Sequence, residues 1–359
     1  MAKKRVLILT GGGPAPGHNA VIYAVAKRLL DNRHEVIGCL DGWKGLIEGN
    51  IQQLTLKEID RIYLRGGTIL YTSRTNLRKV KVDGKNKDLT GLAAEFIKSL
   101  DIDLVVALGG NDTTTVAAYL SKNYGIKIIC GPKTIDNDLW GTDQCYGFDT
   151  AANTVANLLR EMHDDFKSTR YVGVFEIMGR DSGFLTLYGG MSGGAHLILI
   201  PEFPLSIDEI ITRTIAIHKR YGYCMIAAAE NLNMPELADN LGSGTKDAFG
   251  NISIAERSKG WAEVIAEQIK LRSGLQARHN VIGHLCRKGA PSAADTMMCL
   301  RIGTKIFELI EQDASGQLVT WGNPPGIIQL SETVDEAGIG KIRTVPEVLY
   351  KEIMALLSF

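Results

Sequence analysis

Leu104-Val105-Val106-Ala107-Leu108-Gly109-Gly110-Asn111-Asp112-Thr113, followed after a second apolar run by Pro132-Lys133-Thr134-Ile135-Asp136-Asn137-Asp138, are the stretches that decide the fold. In each, a short apolar run breaks at glycine or proline and gives way to polar residues. Apolar runs of this length read as strands buried on both faces, the state of a parallel sheet covered by helices. Polar residues at the carboxyl ends of such strands line up along one edge of the sheet.

The same reading extends outward. Strands are expected at 6–9, 36–40, 104–108, 126–130, 172–178, 197–200, 225–229 and 281–283. Between them Val21, Val25 and Leu29 repeat at helical spacing, as do Leu92, Phe96 and Leu100, and a further helix is expected over 150–161. Strands alternating with helices define an α/β fold with parallel sheets. A chain of 359 residues exceeds the usual size of one core, so two lobes are expected, with the first boundary shortly after Asp138. Polar, glycine-containing stretches at 82–87, 240–252 and 313–317 read as surface loops.

Hydrophobic residues make up 45% of the chain and charged ones 22%, the composition of an ordinary globular protein. Lys and Arg total 40, as do Asp and Glu, so no net field draws the chain to nucleic acid or an anionic membrane. An anionic ligand must be held by local charge. No apolar run nears the roughly 18 residues of a membrane span, and Lys3-Lys4-Arg5 leads into a strand, not a signal peptide; a cytoplasmic protein is expected. The six cysteines show no Cys-x-x-Cys spacing and read as reduced, packing thiols.

Five motifs carry the chemistry. After the first strand, Gly11-Gly12-Gly13-Pro14-Ala15-Pro16-Gly17 enters a helix at about His18, where backbone N–H groups at a helix start can cradle phosphate. A plain strand–helix turn explains it equally well, and no Gly-Lys-Ser or Gly-Lys-Thr of a P-loop occurs. Gly110, Asn111 and Asp112 form a second such turn, in which Asn and Asp also serve as caps. In the third, Asp136 and Asp138 flank an amide and can divide metal binding from general-base work, with Lys133 supplying a cation for phosphate; its plain alternative is an Asx-rich turn. Met178-Gly179-Arg180 brings a guanidinium fork to a strand end. Finally Glu230 ends one strand, and Arg278, His284 and Arg287 bracket another. Together they fit a phosphorylated sugar and a phosphoryl donor.

In this order, over nearly the whole chain, the motifs resemble those of the phosphofructokinase family: Gly12 to Asn19, Gly109-Gly110, Thr134 to Asp138, Met178-Gly179-Arg180, Glu230, and Gly283-His284 with Arg287. The resemblance implies two similar doubly wound, Rossmann-like lobes with mainly parallel sheets and an active site in the cleft between them. It implies a donor-phosphate lobe over 1–140, completed by about 284–330, and a sugar-phosphate lobe over 141–283, completed by about 331–359. By the same resemblance Asp136 is the base for the sugar 1-hydroxyl. Gly12, Gly13 and Gly110 bind donor phosphates, and Asn111 and Asp138 belong to the Mg²⁺ site. Thr134, Ile135, Met178, Gly179, Arg180, Glu230, His284 and Arg287 contact fructose 6-phosphate. Arg278, with Arg170 as its companion one residue out of register, reaches a neighbouring subunit in a homodimer or homotetramer.

ATP-dependent members typically carry glycine at the positions of Asp112 and Lys133. Both are replaced here, as in the diphosphate-dependent branch, where the Asp stands in the place of a nucleotide phosphate and the Lys stabilises the diphosphate being split. Like charges brought close in a poorly solvated site repel by several kcal/mol at an effective dielectric of about 20. The expected reaction is therefore reversible transfer from diphosphate to fructose 6-phosphate. An ATP-dependent kinase tolerating Asp112 is the first alternative. A non-catalytic phosphosugar-binding subunit is the second, because Asn111 stands where the family usually has an acid. Tyr23 replaces the effector-binding arginine of regulated bacterial members, so little ADP or phosphoenolpyruvate control is expected. Sedoheptulose 7-phosphate shares the terminal phosphate and is the alternative acceptor.

Overall fold

The structure, a computed structural model, describes residues 3–241 and 259–357. Its strands are β1 (Arg5–Thr10), β2 (Glu35–Cys39), β3 (Ile51–Leu54), β4 (Val80–Val82), β5 (Lys85–Lys87), β6 (Leu104–Gly109) and β7 (Ile128–Pro132). There follow β8 (Val172–Ile177), β9 (Leu197–Leu199), β10 (Cys224–Ala229), β11 (Ala277–Val281), β12 (Gln317–Thr320) and β13 (Gly326–Gln329). Two compact units emerge. The first holds Met1–Thr134, Asp138–Asp149 and Arg287–Arg343; the second holds Ile135–Asn137, Thr150–Cys286 and Thr344–Phe359.

The first unit is built on a seven-stranded sheet in the order β13-β12-β7-β6-β1-β2-β3. Its inner strands run parallel, while β3 and β13 pair antiparallel at the two edges. Every residue of β6 and β7 is buried, as continuous apolar runs require. Val21, Val25 and Leu29 of the helix His18–Asp31 are fully buried, and this helix packs on the helix Ala293–Glu311. The approach is close enough that a methyl on Gly303 would meet Ala24 Cβ at 2.5 Å. Each fully buried aliphatic side chain stabilises the fold by about 1.5–3 kcal/mol.

The second unit carries a four-stranded parallel sheet in the order β11-β8-β10-β9. Its helix Ile207–Tyr221 starts at a capping box of Ser206 and Glu209 and stops at Gly222, whose φ of 82° suits a residue without Cβ. The α/β class with mainly parallel sheets is thus present. The two sheets differ in size and in their edges, one mixed and one all-parallel.

Four expectations need correction. The helix around Leu92 spans Thr90–Ser99, but it buries Ala93, Ala94 and Ile97 and leaves Leu92 49% exposed. Small alanines carry its inner face, so the bulky residues misplace the stripe. The strand expected at 281–283 ends at Val281, having begun at Ala277; Gly283–Arg287 is a 3₁₀ turn, so Arg278 lies within the strand. The loop 82–87 contains part of the hairpin β4–β5. The helix expected over 150–161 spans Phe148–Thr169. The loop 313–317 is a turn at Asp313, φ 56°, and of 240–252 only residues 240 and 241 lie within the described residues. The chain changes unit at 134/135, 137/138, 149/150, 286/287 and 343/344; the boundaries implied by the resemblance are 140, 283 and 330. All six cysteines are buried and none forms a disulfide, and no described helix is long and apolar enough to cross a membrane.

Candidate functional site

In the first unit three turns leave neighbouring strands at one edge of the sheet. The register of β6 against β7 pairs Gly109 with Pro132, and the amide of Lys133 donates to the Gly109 carbonyl at 3.1 Å. On the other side of β6, the amide of Gly11 donates to the Leu108 carbonyl at 2.9 Å. The glycine turn, Gly110 and Lys133 are therefore brought level by strand pairing. Parallel strands starting together end together.

Side chains close the arrangement. Lys133 is only 5% exposed, and its Nζ donates to the Gly13 carbonyl at 2.9 Å. A methyl on Gly12, where φ is 84°, would stand 2.9 Å from that Nζ; one on Gly13 would stand 3.0 Å from the guanidinium of Arg287. Two cations thus meet a turn with no side chains of its own, the requirement for close approach to an anion. Arg287, expected among the sugar contacts, lies in the first unit against the glycine turn. Residues 72 and 73 brace the turn from behind. Thr72 Oγ1 donates to the Gly12 carbonyl at 2.8 Å, and the amide of Gly12 donates to the Ser73 carbonyl at 2.9 Å.

The helix Asn111–Tyr124 starts after Gly110 and has Asp112 in its first turn, where a carboxylate is favoured by the helix dipole. Asn111 Nδ2 donates to Asp138 Oδ2 at 3.0 Å and to the Asp138 carbonyl at 3.2 Å. Among the described residues no group of three or more His, Cys, Asp or Glu side chains is placed to hold a metal. One carboxylate oriented by an amide suits Mg²⁺, which keeps several waters and is held largely by substrate phosphates. Its chemistry at this site would be to neutralise phosphate charge.

In the second unit Asp136 is 8% exposed, and Asn137 beside it takes the left-handed φ of 55°. Glu230, at the end of β10, is 8% exposed and accepts from the amides of Gly179 at 3.2 Å and Arg180 at 3.1 Å through one oxygen. Met178-Gly179-Arg180 is therefore wrapped around this carboxylate. Burial, and next the charge of Asp136, push the Glu230 carboxyl up to about 7 against the opposing pull of the two amides; Glu176 adds to the rise. Arg278 and His284 are exposed, and the Arg278 guanidinium lies 5.6 Å from the ring centre of Tyr171. Arg170 is exposed at φ 59°, its carbonyl 2.9 Å from His218 Nε2. Among expected residues, Lys133 and Thr134 fall in the first unit, Ile135 and Asp136 in the second, and Asp138 again in the first.

Three residues near these groups carry no sequence signal. His18 and Tyr146 are fully buried. Glu176, buried on β8, accepts the Ala262 amide at 3.1 Å, capping the helix Trp261–Ser273 from another strand. Only folding brings that strand to that helix start.

The family model described as phosphofructokinase matches residues 5–310. The pyrophosphate–fructose 6-phosphate 1-phosphotransferase of Dictyoglomus thermophilum is 37% identical over 361 residues, covering all of both chains. The ATP-dependent 6-phosphofructokinase 3 of Streptomyces coelicolor is 34% identical over 98% of this chain and all of its own. The crystal structure of the pyrophosphate-dependent phosphofructokinase from Nitrosospira multiformis superposes with a TM-score of 0.78 at 22% identity, covering 99% of this chain and 92% of the other. The last of these is a likeness of fold.

Proposed function

This chain belongs to the phosphofructokinase family, and we propose that, within it, diphosphate and not ATP is the phosphoryl donor. Phosphofructokinase activity, a phosphotransfer to fructose 6-phosphate, follows from membership. The single observation supporting the donor is the placement of Lys133, buried with its Nζ on the Gly13 carbonyl at the edge where Asp112 opens a helix. A lysine there occupies space that glycine leaves open for a nucleotide, and Asp112 adds a charge that repels further phosphates.

In the proposed reaction Asp136 takes the proton from the sugar 1-hydroxyl. The oxygen attacks one phosphorus of diphosphate, the bridging P–O bond breaks, and its electrons leave with inorganic phosphate. Lys133, with Gly12, Gly13 and Gly110, holds the donor. Thr134, Ile135, Met178, Gly179, Arg180, Glu230, His284 and Arg287 hold the sugar phosphate, and Arg278 and Arg170 serve an adjacent subunit of a homodimer or homotetramer. Asn111 and Asp138 would hold Mg²⁺, which would offset the charge of the donor phosphates, and the enzyme works in the cytoplasm. In such chemistry the protein contributes alignment and charge neutralisation more than covalent steps.

The test is turnover of fructose 6-phosphate with Mg²⁺ and either donor. Diphosphate is expected to give fructose 1,6-bisphosphate and phosphate; a preference for ATP overturns the reading. Asp112→Gly with Lys133→Gly is expected to reduce diphosphate use without necessarily creating ATP use.

A further inference from the structure

His18 lies at the first turn of the helix that follows the glycine turn, and no part of its side chain reaches solvent. Its Nδ1 faces Tyr146 Oη at 3.4 Å, the rings meet edge to face at 5.8 Å, and its Nε2 has no hydrogen-bond partner among the described residues. Tyr146 is equally buried, and its backbone is tied to the end of β7: its amide donates to the Pro132 carbonyl at 3.1 Å, and Tyr146 and Lys133 form an isolated parallel bridge. At Gly17, φ 107°, an added Cβ would meet the Tyr146 ring at 2.9 Å and Cys299 Sγ at 2.7 Å. One tyrosine therefore touches both the helix start and the strand end that carries Lys133.

We infer that His18 is a positioning residue for Lys133, bracing with Tyr146 the glycine turn and the end of β7 so that the lysine meets the donor in one geometry. The contact is long for a hydrogen bond, so its stabilisation is small. Its use is directional. Burial, and then the charge of Lys133, hold His18 well below the ordinary imidazole range, so the brace is neutral beside the lysine. An apolar core would fill the space as well. A buried imidazole with one nitrogen unpaired costs stability, so packing alone does not account for it.

This rests on the role proposed for Lys133. His18→Leu fills the space without an acceptor, His18→Asn carries an oxygen near the place of Nδ1, and Tyr146→Phe removes only the hydroxyl. With whichever donor the wild-type enzyme turns over, His18→Leu and Tyr146→Phe are expected to lower kcat about tenfold, because small misplacements at a reacting centre have such effects. The KM for fructose 6-phosphate and the thermal midpoint stay near wild type, and His18→Asn recovers most of kcat. Wild-type kcat in Tyr146→Phe, or equal loss in the Leu and Asn variants of His18, would overturn the inference. Preference for ATP would sink the donor reading and leave this comparison intact.

Discussion

Lys133 donates from Nζ to the carbonyl oxygen of Gly13 at 2.9 Å, joining residues 120 apart in sequence. The bond fixes where the ammonium sits before any donor arrives, so less reorganisation is needed at the moment of transfer. Lys133→Met keeps the length and apolar stem of the side chain and removes the charge. It is expected to lower kcat with diphosphate by about 10² to 10³-fold, the usual loss for one preorganised donor group. Steady-state kinetics at saturating fructose 6-phosphate check this, and a loss below about tenfold would refute the role.

Gly12→Ala reaches the same group from the other side. The residue has φ 84°, where an L side chain is strained by roughly 1–2 kcal/mol, and its methyl would stand 2.9 Å from Lys133 Nζ. The flexible lysine end can move away, so the fold should survive with a modest fall in thermal midpoint. The end that moves is the one the donor needs. A fall in kcat larger than the stability change explains is expected, and an unchanged kcat would count against the close approach of turn and lysine.

Much of this edge was readable before any coordinates. Runs such as Leu104–Gly109 are apolar on every residue because both faces are covered, and glycine and polar residues mark where they stop. The partnership of Asn111 with Asp138 was not readable, since the residues are 27 apart and meet only through the pairing of β6 with β7. Arg278 misled for a different reason. It sits on an edge strand whose residues 278–280 are polar, so the apolar signal at the exposed Val281 drew the expected strand four residues too late. The contact of Arg287 with Gly13 has no local signature either, because a guanidinium's partner is chosen by the whole fold.

Glu230 predicts a pH dependence. Its carboxyl rises from 4.5 to about 7 because burial and the charge of Asp136 disfavour ionisation. The folded state then holds a proton that the unfolded state has lost, so stability falls as pH rises from about 4.5 to about 7 and is flat above. The whole effect is roughly 3 kcal/mol at most. Glu230→Gln keeps an oxygen for the amides of Gly179 and Arg180 and cannot ionise, so denaturant titrations should lose this slope and show the variant more stable at pH 8. A variant as pH-dependent as the wild type in this window would exclude Glu230 as the source.

Asn111→Asp tests the metal from the protein's side. At present Nδ2 donates to Asp138 Oδ2 at 3.0 Å, so the amide neutralises nothing but orients the carboxylate. An aspartate there would replace a hydrogen bond by repulsion between two carboxylates at the same spacing, which favours protonation of one of them or binding of a divalent cation. Without Mg²⁺ the variant should melt below wild type; with Mg²⁺ the difference should shrink or reverse, because a cation that binds only the folded state stabilises it in proportion to its occupancy. The half-saturating Mg²⁺ concentration for turnover should fall as the charge facing the ion grows. Calorimetry of both proteins across a Mg²⁺ series separates these effects. If the deficit of Asn111→Asp is the same at every Mg²⁺ concentration, the ion does not bind at Asp138.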